Sequence, residues 1–181
     1  MTAKYIDRAE VARLMKKELT AKYAGVSFSI TSKTYSGGGS ITIKWTDGPT
    51  ESQVEHVVSK FESRGFDGSI DMEYIIRHYI KGGKLYTYST GTEGSRGSVP
   101  AWGKLPEGAE EIHINTGYVF CNRTLSREAI QTVMNNMIER GYLRPEQWHF
   151  TEYGGYDFDN ATTDSYFLSR VFHRTSLEMT L

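Results

Sequence analysis

Between Tyr35 and Phe66 the chain changes its hydrophobic period twice. Ile41, Ile43 and Trp45 alternate with Thr42 and Lys44, the period of two that marks a strand with one buried face. Thr46-Asp47-Gly48-Pro49-Thr50 interrupts that pattern. Val54, Val57, Val58 and Phe61 then recur at steps of three, one and three, which puts them on one stripe of a helix. Thr50 with Gln53 three residues on fits a capping box, and Gly65 fits a left-handed terminator with Phe66 folded back on the last turn. Burying the stripe contributes about 6 to 12 kcal/mol before ordering entropy is subtracted, so the helix needs a sheet to lie on. Upstream, Asp7 and Glu10 mark another helix start, with Val11, Leu14, Met15, Leu19 and Tyr23 as its stripe and Gly25 as its end. Val26, Phe28 and Ile30 alternate as a strand facing the Ile41 strand across a nine-residue hairpin loop rich in Ser, Thr and Gly.

The same pattern returns later in the chain. A shift that lays Thr50 on Ser126 also lays the Val54 to Phe61 stripe on Ile130, Val133, Met134 and Met137. It lays Gly65-Phe66 on Gly141-Tyr142, Ile43 on Val119 and Trp45 on Cys121. Glu111 to Asn115 supplies a further strand, with Asn115-Thr116-Gly117 as a tight turn. Duplication and the limited ways in which a helix can follow a strand both account for this repeat. Between the copies, residues Glu73 to Ser89 read as a hairpin around Lys81-Gly82-Gly83-Lys84, with a helix from Met72 to Ile80 as the rival. Thr90 to Gly108 has no periodicity and reads as a long loop. Gln147 to Tyr153 and Tyr166 to His173 read as strands. The predicted class is α+β: two strand-strand-helix units sharing a mixed or antiparallel sheet, with an additional N-terminal helix. Residues 1–181 are expected to form a single domain. Within it, 1–75 make a helix-hairpin-helix unit, 76–110 the hairpin and long loop, and 111–181 the second unit with C-terminal strands.

Composition changes this picture little. A length of 181 residues suits one core, and 21 basic against 22 acidic side chains exclude a polybasic nucleic-acid binder or an acidic DNA mimic at the level of the whole chain. A local patch stays open, because Arg13, Lys16 and Lys17 fall opposite the apolar stripe of the first helix, diluted by Glu10 and Glu18. The single Cys121 excludes an intrachain disulfide and a zinc site built on several thiolates. No stretch resembles a signal peptide or reaches membrane-spanning length, so a cytoplasmic setting is expected.

Candidate chemistry is sparse. Cys121, ahead of a helix start, has the position of an activated thiol, but its alternation with Val119 points to a buried structural one. The histidines (His56, His78, His113, His149 and His173) lack helical metal-binding spacing, and His56 and His113 fall on polar faces. Asp67, Asp71 and Glu73 form one carboxylate group, and Asp157, Asp159 and Asp164 another that begins like a calcium loop without its glycine and closing glutamate. Turn and capping roles account for most of them. The glycines at 37 to 39 lead into a strand rather than a helix, which does not fit a phosphate loop. Arg96 and Trp102, on the long loop, fit a partner-binding anchor. No cofactor or metal and no catalytic residue is assigned.

Tyr35-Ser36-Gly37-Gly38, Ile43-Lys44-Trp45-Thr46-Asp47-Gly48-Pro49-Thr50 and Phe66-Asp67-Gly68 together resemble the motifs of the large polyvalent protein-associated domain, class twenty-nine, over residues 4 to 74. A weaker similarity lies in Tyr156-Asp157 and Thr163 to Phe167. The resemblance implies a protein of phage, plasmid or other mobile-element origin and brings no reaction to transfer. The expected function is that of a non-enzymatic accessory protein that binds a host protein or nucleoprotein, as an anti-CRISPR or antirestriction factor would. The alternatives are direct DNA or RNA binding through Arg13, Lys16 and Lys17, and a metal-dependent hydrolase.

Overall fold

The computed structural model describes residues 4–92, 100–102, 104–158, 168 and 170–172, with the backbone alone for 89–91 and 100–102. Its contacts divide the chain into a first unit, Met1–Lys44 with Ser52–Asn122, and a second, Trp45–Glu51 with Arg123–Leu181.

The first unit begins with β1 (Lys4–Ile6), which runs into α1 (Arg8–Lys22). Asp7 Oδ1 accepts from the Glu10 N–H at 2.8 Å, the cap expected from sequence. Val11, Met15 and Leu19, spaced by four, are buried, while Leu14 stays exposed. Tyr23 closes the helix as its C-cap and donates through its hydroxyl to Gln53 O at 3.0 Å.

β2 (Ser29–Tyr35) and β3 (Gly38–Thr46) are antiparallel, with Tyr35 opposite Gly38. The nine-residue loop expected here is therefore a two-residue turn, Ser36-Gly37, in which Gly37 takes a φ of +99°. The strand was hidden because all of β2 except Ile30 is exposed, so no buried face imposes an apolar alternation. In β3 the alternation is faithful: Ile41, Ile43 and Trp45 are buried.

α2 (Glu51–Val58) continues as a short 3-10 turn, Ser59–Phe61, and buries Val54, Val58 and Phe61. Gly65 does not terminate it. The chain leaves in extended backbone at Glu62, and Gly65 lies inside β4 (Arg64–Asp67), paired with Tyr74 of β5 (Met72–Ile75). A Cβ on Gly65 would stand 2.2 Å from the Tyr74 ring, so this glycine serves the tyrosine that lies across it.

The expected hairpin around Gly82-Gly83 is present as β6 (His78–Lys81) and β7 (Lys84–Thr87), but the run at 72–75 belongs to β5, and the rival helix is absent. The presumed loop of Thr90 to Gly108 carries paired strands at its described ends, β8 (Ser89–Thr92) and β9 (Pro100–Trp102). β10 (Glu110–Ile114) and β11 (Tyr118–Thr124) follow. One sheet runs β1-β10-β6-β7, with β1 parallel to β10 and the remaining pairs antiparallel. Another runs β11-β3-β2, so the two strands that feed helices are neighbours. Asn115-Thr116-Gly117 thus joins strands of different sheets, and Gly117, at φ +74°, comes so close to β3 that a Cβ would lie 1.8 Å from Gly39 O.

The second unit is built on the sharp bend after β3. Asp47, at φ 56°, donates its N–H to Thr124 O at 2.8 Å and accepts from the Ser126 N–H through Oδ1 at 2.8 Å. Arg123 reaches back, donating from Nε to Asp47 O and from its N–H to Glu51 Oε1. Trp45 Nε1 donates to Pro49 O at 2.8 Å. Ser126 then caps α3 (Arg127–Glu139) by accepting from the Ala129 N–H. Ile130, Val133, Met134 and Met137 are buried with Leu143, Phe158, Leu168 and Phe172. Here the terminator behaves as the sequence predicts: Gly141 is left-handed, and Tyr142 N–H returns to Met137 O at 2.9 Å. β12 (Trp148–Phe150) pairs with β13 (Tyr156–Phe158). In the 166–173 run the described residues, 168 and 170–172, are helical rather than extended. Leu168 and Phe172 bury one helical face, a spacing that a short apolar run cannot distinguish from a buried strand.

Candidate functional site

Arg8 opens α1, an unfavourable place for a cation beside the positive end of the helix dipole. Its guanidinium is held by other means: Nε donates to Asn115 O at 3.0 Å, and Nη1 to Lys33 O at 3.3 Å and Thr34 Oγ1 at 2.5 Å. It lies flat on Gly39, where a Cβ would stand 2.1 Å from Cζ, so the third glycine of the 37 to 39 run is a seat for the arginine. All three acceptors are neutral, and Arg8 forms no ion pair among the described residues.

Arg64 at the start of β4 donates from Nη2 to Gly37 O at 3.3 Å and pairs through Nη1 with Glu73 Oε2 at 2.5 Å. Tyr118 donates its hydroxyl to the other oxygen of Glu73 at 3.0 Å. Burial and then that carboxylate push the Tyr118 pKa up, so the phenol stays a donor. Tyr35 donates to Gly39 O at 3.2 Å, with its ring edge against Gly38. Arg8, Arg64, Tyr5, Tyr35, Ser32 and Thr34 line a polar cleft of about 580 Å³, and Asp7 lines it with them.

A second surface lies on the β4–β5 hairpin. The register puts Arg64, Phe66, Glu73 and Ile75 on one face, with the Arg64–Glu73 pair on one diagonal and Phe66 and Ile75 on the other. Phe66 is 56% exposed and Ile75 64%. Phe120, which shares a face of β11 with Tyr118, is also exposed.

Arg13, Lys16 and Lys17 are all exposed on α1. Arg96 lies outside the described residues, and of Trp102 only the backbone is described, opposite Ser89 in β9. Cys121 sits within β11 and is half-buried, a less enclosed position than its alternation predicts. His56, His113 and His149 are exposed, His78 is buried, and His173 lies outside the described residues. Asp67 accepts from the Thr92 hydroxyl and from Ser69, bonds that hold its carboxyl below the usual range. Among the described residues no group of three potential metal ligands forms. The sequence reading missed Arg8 and Arg64. An arginine at the first position of a helix was the available signal, since the dipole gives it no reason to be there.

The family model for the large polyvalent protein associated domain 29 matches residues 6–126, extending past the motifs at 35–68 through β10 and β11 to the Ser126 cap. No curated protein and no solved structure gives a significant match. With two thirds of its length under that model, including the Asp47 bend and both cleft arginines, the chain belongs to the large polyvalent protein associated domain 29 family.

Proposed function

We propose that this chain is a non-enzymatic accessory protein that binds a host protein or nucleoprotein, and that it acts against a host defence system of the CRISPR or restriction type. Family membership associates it with phages and other mobile elements. The observation that supports binding is the β4–β5 face, where Phe66 and Ile75 stay exposed beside an Arg–Glu pair. Aromatic and arginine side chains at the centre of a patch dominate interface energetics, with a charged rim setting register.

The test is capture from host lysate with the tagged chain, in parallel with Phe66→Ser/Ile75→Ser and with Arg96→Ala/Trp102→Ala. The expected result is a stoichiometric host protein that the Phe66/Ile75 variant no longer retains while its circular dichroism is unchanged. Absence of any stoichiometric partner overturns the proposal. A second reading, direct nucleic-acid binding, is supported by Arg13, Lys16 and Lys17, exposed together on α1. It predicts a gel shift that weakens steeply with added salt.

A further inference from the structure

We infer that the cleft between the start of α1 and the β2–β3 turn is a binding site for a nucleotide unit, its phosphate held by Arg8 and Arg64 and its base by Tyr5 and Tyr35. This goes beyond the protein-binding reading and does not depend on it.

A guanidinium has five N–H donors. Arg8 commits Nε and Nη1 to neutral oxygens, which fixes the plane of the fork, and leaves Nη2 with no partner among the described residues. Its charge is therefore oriented yet uncompensated, the state in which an arginine takes a phosphate oxygen at little further ordering cost. Arg64 adds a second guanidinium, already shared with Glu73 and so the weaker of the two. Thr34 and Ser32 bring hydroxyls to the same wall, and Gly37, with open space where a side chain would stand, lets a ligand approach the backbone. Among the described residues Asp7 is the one carboxylate lining the cleft, and its Oδ1 is turned to the Glu10 N–H as the helix cap, which favours the Arg8 and Thr34 side for the anion.

The aromatic side chains set the ligand class. An acidic peptide would satisfy the guanidinium forks equally well, but it has no use for two open tyrosine rings. Tyr5 is 61% and Tyr35 54% exposed, neither is stacked on another ring among the described residues, and both line the cleft. Every base presents a flat face to such a ring, worth about 1–3 kcal/mol per base. A volume of about 580 Å³ is in the range of a small-molecule site and suits one nucleotide. That unit can be a free mononucleotide or one residue of a single strand.

The test is titration of the full chain with adenosine monophosphate, with fluorescein-labelled oligothymidylate and, as a control, with inorganic phosphate, using Arg8→Ala, Gly39→Ala, Tyr5→Ala and Lys16→Ala/Lys17→Ala. Gly39→Ala is the diagnostic variant, because its methyl displaces the Arg8 guanidinium while leaving net charge unchanged. Arg8→Ala and Gly39→Ala are each expected to weaken binding by about tenfold or more, the loss of a charged hydrogen bond. Tyr5→Ala weakens both nucleotide probes but leaves inorganic phosphate unaffected. If the oligomer alone binds and shows these losses, the source is a single strand; if the mononucleotide also binds, it is a free nucleotide. Arg8→Lys, which keeps the charge but loses the fork, replaces Arg8→Ala should that variant fail to fold, with the same weakening expected. Oligomer binding that responds to Lys16 and Lys17 but not to Arg8 or Gly39 overturns the inference, as does no binding of either probe. Host-protein capture lost in Phe66→Ser/Ile75→Ser leaves this site untouched.

Discussion

His78 is 1% exposed in β6, and its Nε2 has no hydrogen-bond partner. Burial pulls its pKa from 6.5 down to about 4, against backbone groups of Lys60, Glu62 and Ile76 that favour the charged form. Between those two values the unfolded chain binds a proton that the folded chain refuses, so stability is full above pH 6.5 and falls as pH drops towards 4. The loss approaches about 3 kcal/mol at the acid end. Glu62 works in the opposite sense over part of the window, since burial raises its carboxyl pKa. The difference between wild type and His78→Leu isolates the histidine: urea midpoints at pH 7 and pH 4.5 should converge or cross in favour of the variant as pH falls. Two glycines make a second contrast. Gly117 and Gly141 share a φ near +73° to +74°, but a Cβ on Gly117 would strike the Gly39 carbonyl, whereas Gly141 has open space around it. Gly141→Ala should therefore cost about 1–2 kcal/mol for its backbone alone. Gly117→Ala should cost clearly more, which urea unfolding of the two variants checks.

At the scale of elements, the bend after β3 ties the end of that strand to the start of α3. Asp47 holds a left-handed conformation, ties its N–H to Thr124 O and gives its carboxylate to the residue that caps α3. Asp47→Ala removes the acceptor and keeps the strained backbone, so it should lower stability by about 1–3 kcal/mol, with the first turn of α3 losing amide protection first. Elements with one buried face were legible in the sequence: α1, β3, α2 and α3 all show their period because water lies on one side of them and apolar side chains on the other. β2 was not, since an edge strand whose one sheltered side chain is Ile30 has no apolar row to display. Gly65 misled for a different reason. A glycine after an apolar run signals a helix end only when the chain needs a left-handed residue, and here it makes room for Tyr74. The cleft was illegible because its parts come from four separate segments, and the pairing of Arg8 with Gly39 is a contact that neither residue announces.

On the scale of the whole molecule, the family match stops at residue 126, one residue before α3 begins. Beyond it, Ile130, Val133, Met134, Met137, Leu143, Phe158, Leu168 and Phe172 form their own apolar cluster in the second unit. The first unit carries a different buried set, with Val11, Met15 and Leu19 of α1 and Ile112 of β10 among its members. A core mutation should therefore be felt chiefly in the unit whose cluster it opens. Met134 is fully buried, and Met134→Ala is expected to cost about 2–5 kcal/mol. Native-state hydrogen exchange reads where that loss falls. Amides of α3 and of the β12–β13 pair should exchange faster in the variant, while those of the β10–β6 ladder keep wild-type rates. Met15→Ala, in α1, should give the reverse pattern. If either substitution accelerates exchange equally in both sets, the two clusters melt as one cooperative body, and the apolar layer built around Met134 cannot be a separately stable addition to the family domain.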